Sequence, residues 1–143
     1  MAGKQIGNPS GAFGVTDLQQ KLYANTGEFV ASAAIAAKSV VSISSTGTVA
    51  TCATDGVGVI GVALNAASAA GKTVQVILNG IATNVVAGSA TTLGTPVIRS
   101  ATTAGAVTSS ATPVTGTAVG FALGASSGGV SSIWVLPGAN TSS

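Results

Sequence analysis

GVGVIGVAL, residues Gly56–Leu64, is the stretch that decides the fold of this chain. It is short, apolar and rich in β-branched residues, and its glycines lie where a strand bends or turns. A weaker copy, TAVGFAL at Thr117–Leu123, recurs in the second half of the sequence. Each copy is followed by a small-residue loop and a second strand-like run, VQVIL at Val74–Leu78 or IWVL at Ile133–Leu136. The chain therefore contains an internal repeat.

The repeat extends upstream of these stretches. Phe29 aligns with Val85 at an offset of 56 (85 − 29), and Gly61 aligns with Gly120 at an offset of 59 (120 − 61), so small insertions separate the copies. We predict that residues 28–80 and 84–138 are two tandem copies of one β unit, closed on each other into a small β-barrel or β-sandwich. The other aligned pairs are Val40 with Pro96, Val41 with Val97, Val49 with Val107, Ala63 with Ala122, Leu78 with Leu136 and Gly80 with Gly138.

The two ends of the chain lie outside the repeat. Residues 1–27 are broken by glycines and are predicted to form an extended N-terminal arm, with about two helical turns at Asp17–Tyr23. Residues 28–138 form a single predicted β domain, and residues 139–143 a flexible tail. The arm carries apolar side chains that have no place in a body closed by its two copies. We expect these side chains to contact a partner, and they are Phe13, Leu18, Leu22 and Tyr23.

Composition restricts what the core can be made of. The chain is 46% hydrophobic and 3% aromatic, so the core must consist of Val, Ile, Ala and Leu. Each buried valine contributes only about 1.5 kcal/mol, and we therefore expect subunit contacts in a homo-oligomer, most simply a trimer, to carry part of the stability. Cys52, Phe121 and Trp134 lie in strand-like runs and are predicted to be core residues.

Charge excludes several classes of partner. Only 6% of the residues are charged, against about 25% in an average protein, and the net charge is +2. The five basic residues are scattered and have no interleaved aromatics, so we expect no nucleic-acid partner. No apolar run reaches about 18 residues, and the first residues lack the apolar core of a signal peptide. These features predict a protein that is synthesised in the cytoplasm and does not enter a membrane.

Two glycine motifs match nucleotide-binding consensus sequences in residue type and spacing alone. Gly56-x-Gly58-x-x-Gly61 has the dinucleotide spacing, and Gly71-Lys72-Thr73 ends a near match to a phosphate-binding loop. Both motifs function only where a strand turns into a helix, and here each is embedded in strand-like sequence. The chain also has no histidine and no acidic residue after Asp55. We therefore expect no enzyme activity, no cofactor and no metal site.

These β units resemble the small decoration (cement) proteins of tailed-bacteriophage capsids. The resemblance covers residues 28–138, but members of that family often carry more charge in their turns. It implies a compact β domain, usually trimeric, on the outer capsid surface where subunits of the major capsid protein meet, and it brings no catalytic residues. The residues that carry it are Val40-Val41, Thr46–Val49, Gly61–Leu64, Val74–Gly80, Ala87-Gly88, Thr95–Val97, Gly105–Val107, Gly120–Leu123 and Trp134–Leu136.

Two other functions remain open from the sequence. One is another structural part of a phage, such as a head-fibre base or a component of the tail tube. The other is a carbohydrate-binding β module, which would stack sugars on exposed aromatic rings. The expected location of Trp134 in the core argues against the second alternative.

Overall fold

The computed structural model describes residues 24–45 and 47–138 of the 143-residue chain. Within these residues the fold is all-β, with no helix, as the sequence predicts. Strands alternate with short turns at Gly, Ser and Asn, because these residues accommodate the turn geometry that β-branched residues do not. The strands are β1 (Ala24–Ala31), β2 (Val40–Ser45), β3 (Thr48–Thr51), β4 (Val59–Ala63), β5 (Thr73–Val86), β6 (Pro96–Arg99), β7 (Val107–Ser109), β8 (Ala118–Ala122) and β9 (Val130–Val135).

The two sequence copies appear as two units that share the long strand β5. Up to Gly80, β5 pairs with β1 and β4, and from Gly80 onward it pairs with β9. The first unit therefore consists of β1–β4 and the first half of β5. The second unit consists of the second half of β5 and β6–β9. The prediction of a β-barrel fold built from two tandem copies of one β unit is confirmed, but the copies do not close on each other into one barrel, because the first copy closes by itself through the pairing of β1 with β3 and β5.

The first unit is a closed five-stranded barrel. Its strands are hydrogen-bonded in the cyclic order β1-β3-β2-β4-β5, and β5 returns to β1 in an antiparallel pairing from Ala24 to Val30. The seam between β1 and β3 is parallel, with Val30 opposite Thr48 and Ala31 opposite Val49. Closure leaves the barrel without free strand edges.

The second unit repeats this order with a shorter seam. β5 pairs with β9, β9 with β8, β8 with β6, and β6 with β7. The ring is completed by a single parallel bridge between Ala87 and Val107, which is reinforced by the Gly88 N–H donating to the Val107 carbonyl at 2.9 Å. The second barrel is therefore closed by less backbone pairing than the first.

A glycine occupies the same special position in each barrel. A Cβ built on Gly61 would overlap the carbonyl oxygen of Ile77, and one built on Gly120 would overlap that of Trp134. The strand register shifts next to both glycines, between Val41 and Ser42 in one unit and in the matching place in the other. These shifts are β-bulges, and only glycine allows two backbones to approach so closely there.

Strand pairing corrects the predicted alignment of the two copies and the predicted start of the β domain. Ala63 lies opposite Val76 and Ala122 opposite Ile133, so Leu78 corresponds to Val135, and the predicted match of Leu78 with Leu136 is one residue out of register. β1 begins at Ala24, so residues 24–27, which the sequence assigns to the arm, pair with β5. Glycine spacing alone misplaces both, because the copies differ in loop length and because Gly27 interrupts the strand pattern.

Each barrel is filled by small aliphatic side chains, as the composition requires. The first barrel buries eight residues, with Phe29, Ile60 and Leu78 packed at its margin. They are Ala31, Ile35, Val41, Val49, Ala63, Ala67, Val74 and Val76. The second barrel forms a larger cluster that also contains five residues of the first unit, namely Val40, Cys52, Val59, Val62 and Ile77. The two units therefore share a continuous apolar interface.

Hydrogen bonds to backbone groups also join the two units across this interface. The Val40 N–H donates to the Gly105 carbonyl at 2.7 Å, and the Gly105 N–H donates to the Cys52 carbonyl at 2.9 Å. The Arg99 Nε–H donates to the Gly56 carbonyl at 2.6 Å. The two units are thus one rigid body joined by a shared strand, a shared apolar cluster and paired backbone groups.

Candidate binding surfaces

The four arm residues predicted to contact a partner are Phe13, Leu18, Leu22 and Tyr23. All four lie outside the described residues 24–45 and 47–138. Their role stays a prediction.

The two glycine motifs lie in β structure. Gly56 and Gly58 belong to the turn before β4, and Gly61 is the bulge residue inside it. Gly71-Lys72 forms the turn that leads into β5, which is a strand. Neither motif therefore presents the helix N-terminus that holds a phosphate group in nucleotide-binding proteins.

Cys52 is a core residue, as predicted. It is buried in the shared cluster, and its Sγ lies 3.6 Å from the Ala53 carbonyl oxygen. Burial raises the pKa of the thiol above its ordinary value, while the Ser42 hydroxyl and the Arg99 charge act in the opposite direction. The thiol therefore stays protonated at neutral pH and is a poor nucleophile.

Charged groups are few and separated across the described residues. Only Glu28, Lys38, Asp55, Lys72 and Arg99 are charged there. No group of three histidine, cysteine, aspartate or glutamate side chains that could hold a metal ion occurs within residues 24–45 and 47–138. The surface that the described residues can present to a partner is therefore largely uncharged.

The most distinctive uncharged surface is formed by four strands of the second unit. Trp134 lies directly opposite Ile81 on one side and Phe121 on the other, and Phe121 lies opposite Pro96. Directly opposed residues project from the same side of a sheet, so the four form one row. Trp134 is 47% exposed and Ile81 is 50% exposed, while Phe121 and Pro96 are half-buried. We call this row the β8–β9 face.

The location of Trp134, together with that of the half-buried Phe121 opposite it, corrects the prediction that both rings lie in the core. The strand position of Trp134 suggested the core, but the alternation along β9 buries Ile133 and Val135 and turns the indole outward. The equivalent residue of the first unit, Ile77, also points away from its own barrel interior, yet it is 1% exposed because the second unit covers it. Within the described part of the chain, no unit covers Trp134 in this way.

A second exposed apolar surface lies on the first unit. Phe29, Ile60 and Leu78 are half-buried at the margin of the first barrel, and we call them the Phe29 cluster. Their equivalents in the second unit are fully buried against the first unit, and they are Val85, Val119 and Val135. The two units therefore differ in which surfaces the other unit covers.

The remaining exposed apolar side chains lie mainly in turns. Leu93 and Val114 are in connections between strands, away from the rows described above. Single exposed apolar residues are normal on protein surfaces and carry no functional implication.

Comparisons with known proteins leave the family of this chain open. No protein-family model matches the sequence, and no curated protein matches it. None of the secondary structure between Ala24 and Gly138, Thr46 aside, is a helix able to span a bilayer.

Proposed function

We propose that this chain is a structural virion protein that binds the outer surface of a tailed-phage capsid and stabilises the contacts between major capsid subunits. The observation that carries the proposal is the fold and the surface chemistry of the described residues. They form a pair of β-barrels that share a strand, with few charges and with an exposed row of apolar side chains in which Trp134 lies between Ile81 and Phe121. A body of this kind suits adhesion by shape and apolar contact.

The working unit in this proposal is a homo-oligomer, a trimer in keeping with the family that the sequence resembles. Several weak contacts to a repeating lattice then act together, so each subunit needs only modest affinity. Catalysis, a cofactor, nucleic acid and a membrane have no part in this function. The place of action is the outside of the virion.

Co-sedimentation tests the proposal directly. Mature capsids of the tailed phage that carries this gene in the proposal are mixed with the purified full-length protein. We expect saturable co-sedimentation and a higher capsid melting temperature, because a ligand that binds only the assembled state stabilises it. Absence of co-sedimentation at tens of micromolar protein would contradict the function.

The arm can be tested in the same assay. We expect simultaneous substitution of Phe13, Leu18, Leu22 and Tyr23 by alanine in the full chain to remove most of the capsid affinity, because those side chains would lose buried apolar contact. Leu93→Ala with Val114→Ala is the matched control, since these exposed residues lie in turns of the body. Equal occupancy by both variants would show that the body makes the contact.

A second function is favoured by the exposure of Trp134. An exposed indole directly opposite the half-buried Phe121 ring on a neighbouring strand is the type of aromatic platform on which carbohydrate-binding modules stack sugar rings. Binding on a glycan array that is lost in Trp134→Ala would support a carbohydrate-binding module over a decoration protein.

A further inference from the structure

The two units of the chain pack head to tail. Side chains on the outer side of the first unit, Val40, Val62 and Ile77, form one buried cluster with Val85, Val119 and Val135 of the second. The contributing surfaces are different on the two units, so the contact is of the heterologous kind. A heterologous contact between two equivalent units uses one surface of each and leaves the other surface of each unused.

The two unused surfaces are the β8–β9 face and the Phe29 cluster. In the β8–β9 face, strand pairing places Pro96, Phe121 and Trp134 at the positions of Val40, Val62 and Ile77. The Phe29 cluster stands at the positions of the three buried valines Val85, Val119 and Val135. Each described unit therefore exposes one half of a contact that is already made between the two units.

Backbone geometry at the interface is repeated as well. Gly105, which inserts against the first unit, has φ = 74°, and its equivalent Gly47 has the same φ and is exposed. Lys38 and its equivalent Gly94 both have positive φ, 68° and 77°. The loops that flank the internal contact thus have counterparts of similar shape on both unused surfaces.

We propose that the β8–β9 face of one chain binds the Phe29 cluster of a second copy, which repeats between chains the contact that joins the two units within a chain. The outer units of repeat proteins normally present a polar face to solvent, whereas the uncovered surfaces of both described units are apolar. A head-to-tail contact of this type closes into a ring when its rotation permits. The inference concerns only the contact between copies and holds whatever surface the assembly binds.

The contact between chains differs in detail from the one within the chain. Pro96 has no N–H to donate where Val40 donates to Gly105, so one backbone hydrogen bond is missing. Trp134 and Phe121 are larger than Ile77 and Val62, and Phe29 and Leu78 are larger than the valines that they replace. The contact between chains therefore relies more on apolar area and less on backbone pairing.

Cysteine cross-linking tests the proposed geometry. Inside the chain, a Cβ built on Gly105 lies 3.1 Å from the Ser39 Cβ, close to the separation of about 3.8 Å in a disulfide. The equivalent positions are Gly47 on one chain and Thr95 on the next. We expect the double variant Gly47→Cys/Thr95→Cys to form a series of disulfide-linked oligomers under mild oxidation. The largest oligomer on a non-reducing gel gives the number of chains in the ring.

The single variants are the matched controls. Gly47→Cys alone and Thr95→Cys alone should give no cross-linked product, because a head-to-tail contact never brings two copies of one position together. Cross-linking by a single variant would show a symmetric contact and overturn the proposal. Failure of the double variant to cross-link at tens of micromolar would overturn it equally.

A mass measurement tests which residues make the contact. We expect Trp134→Ser to shift the particle mass by light scattering to that of a single chain, and Val114→Ser, which also changes an exposed apolar residue, to leave it unchanged. An unchanged mass for Trp134→Ser would overturn the proposal. These outcomes are independent of capsid binding, so they separate this inference from the proposed function.

Discussion

The two units have the same strand order and the same bulge glycines, yet equivalent side chains can be buried in one unit and exposed in the other. Ile77 is buried and Trp134 is exposed, although each lies opposite the equivalent residue of its neighbouring strand. The difference arises because the second unit covers the first on one side only. Burial in a repeat therefore depends on the neighbour of a unit as much as on its own strand pattern.

The units also differ in how one end of the barrel is filled. The first unit places Ile35 and Val74 there, both buried. The second unit places Thr91 and Ser131 at these positions, and their hydroxyl oxygens are 2.8 Å apart. The Thr91 hydroxyl also donates to the Gly124 carbonyl at 3.2 Å. One barrel end is thus held by apolar packing and the other by buried hydrogen bonds.

The largest effect is expected at the two bulge glycines. Gly61→Ala and Gly120→Ala should each cost about 4 kcal/mol or more of unfolding free energy, because the new Cβ meets a backbone carbonyl that cannot move aside. Gly124→Ala is the control, since its Cβ would meet nothing within 4 Å. Urea midpoints check this, and a variant at either bulge that unfolds like Gly124→Ala would contradict the equivalence of the two units.

A smaller effect is expected at the barrel ends. Ile35→Ala should cost about 3 kcal/mol, since it leaves a cavity in a closed barrel. Thr91→Ala should cost about 1–2 kcal/mol, because it removes a smaller volume and leaves Ser131 and the Gly124 carbonyl with fewer partners. Thermal or urea unfolding of both variants measures the difference. A larger loss for Thr91→Ala would mean that the polar end is the main support of the fold.

Three features of the structure could be predicted from the sequence. Gly61 and Gly120 reveal the repeat because the close approach of two backbones excludes every other residue type at that position. Cys52 is assigned to the core correctly, since small apolar strands bury such side chains. The all-β class follows from the short β-branched runs separated by turn residues.

Trp134 shows where sequence reasoning ends. The period of two along a strand separates residues into two faces, but it does not say which face another unit covers. The signal that identifies Trp134 as exposed is its alternation with Ile133 and Val135, combined with the absence of a third copy of the β unit from the described residues. The Phe29 cluster was missed for the same reason, because among the described residues no second unit packs over it.

A third prediction concerns the polar barrel end. Thr91→Val should cost about 1 kcal/mol on its own, because Ser131 loses its closest partner. Adding Ser131→Ala should then cost less than it does in the wild type, since the unsatisfied hydroxyl is removed together with its partner. A double-mutant cycle in urea measures this coupling. Additive costs would show that the two hydroxyls do not act as a pair.

The smallest effect is expected at Cys52. Burial raises the pKa of the folded thiol, so the folded state holds its proton more tightly than the unfolded chain does. Stability from this group is therefore complete below the unfolded pKa of about 8.5 and decreases as the pH rises above it. Cys52→Ala should have a shallower loss of stability between pH 8.5 and 10. Parallel pH slopes for the wild type and the variant would contradict the assigned burial.

In our proposal the chain exposes one half of its own internal contact, and the fluorescence of Trp134 reports without any mutation whether a second copy covers that half. Trp134 is the single tryptophan of the chain, so all indole fluorescence comes from the β8–β9 face. The measurement is the emission maximum and acrylamide quenching of the wild-type protein from nanomolar to tens of micromolar concentration. We predict a shift to shorter wavelength and reduced quenching as copies associate. Emission typical of a water-exposed indole at every concentration would contradict the account.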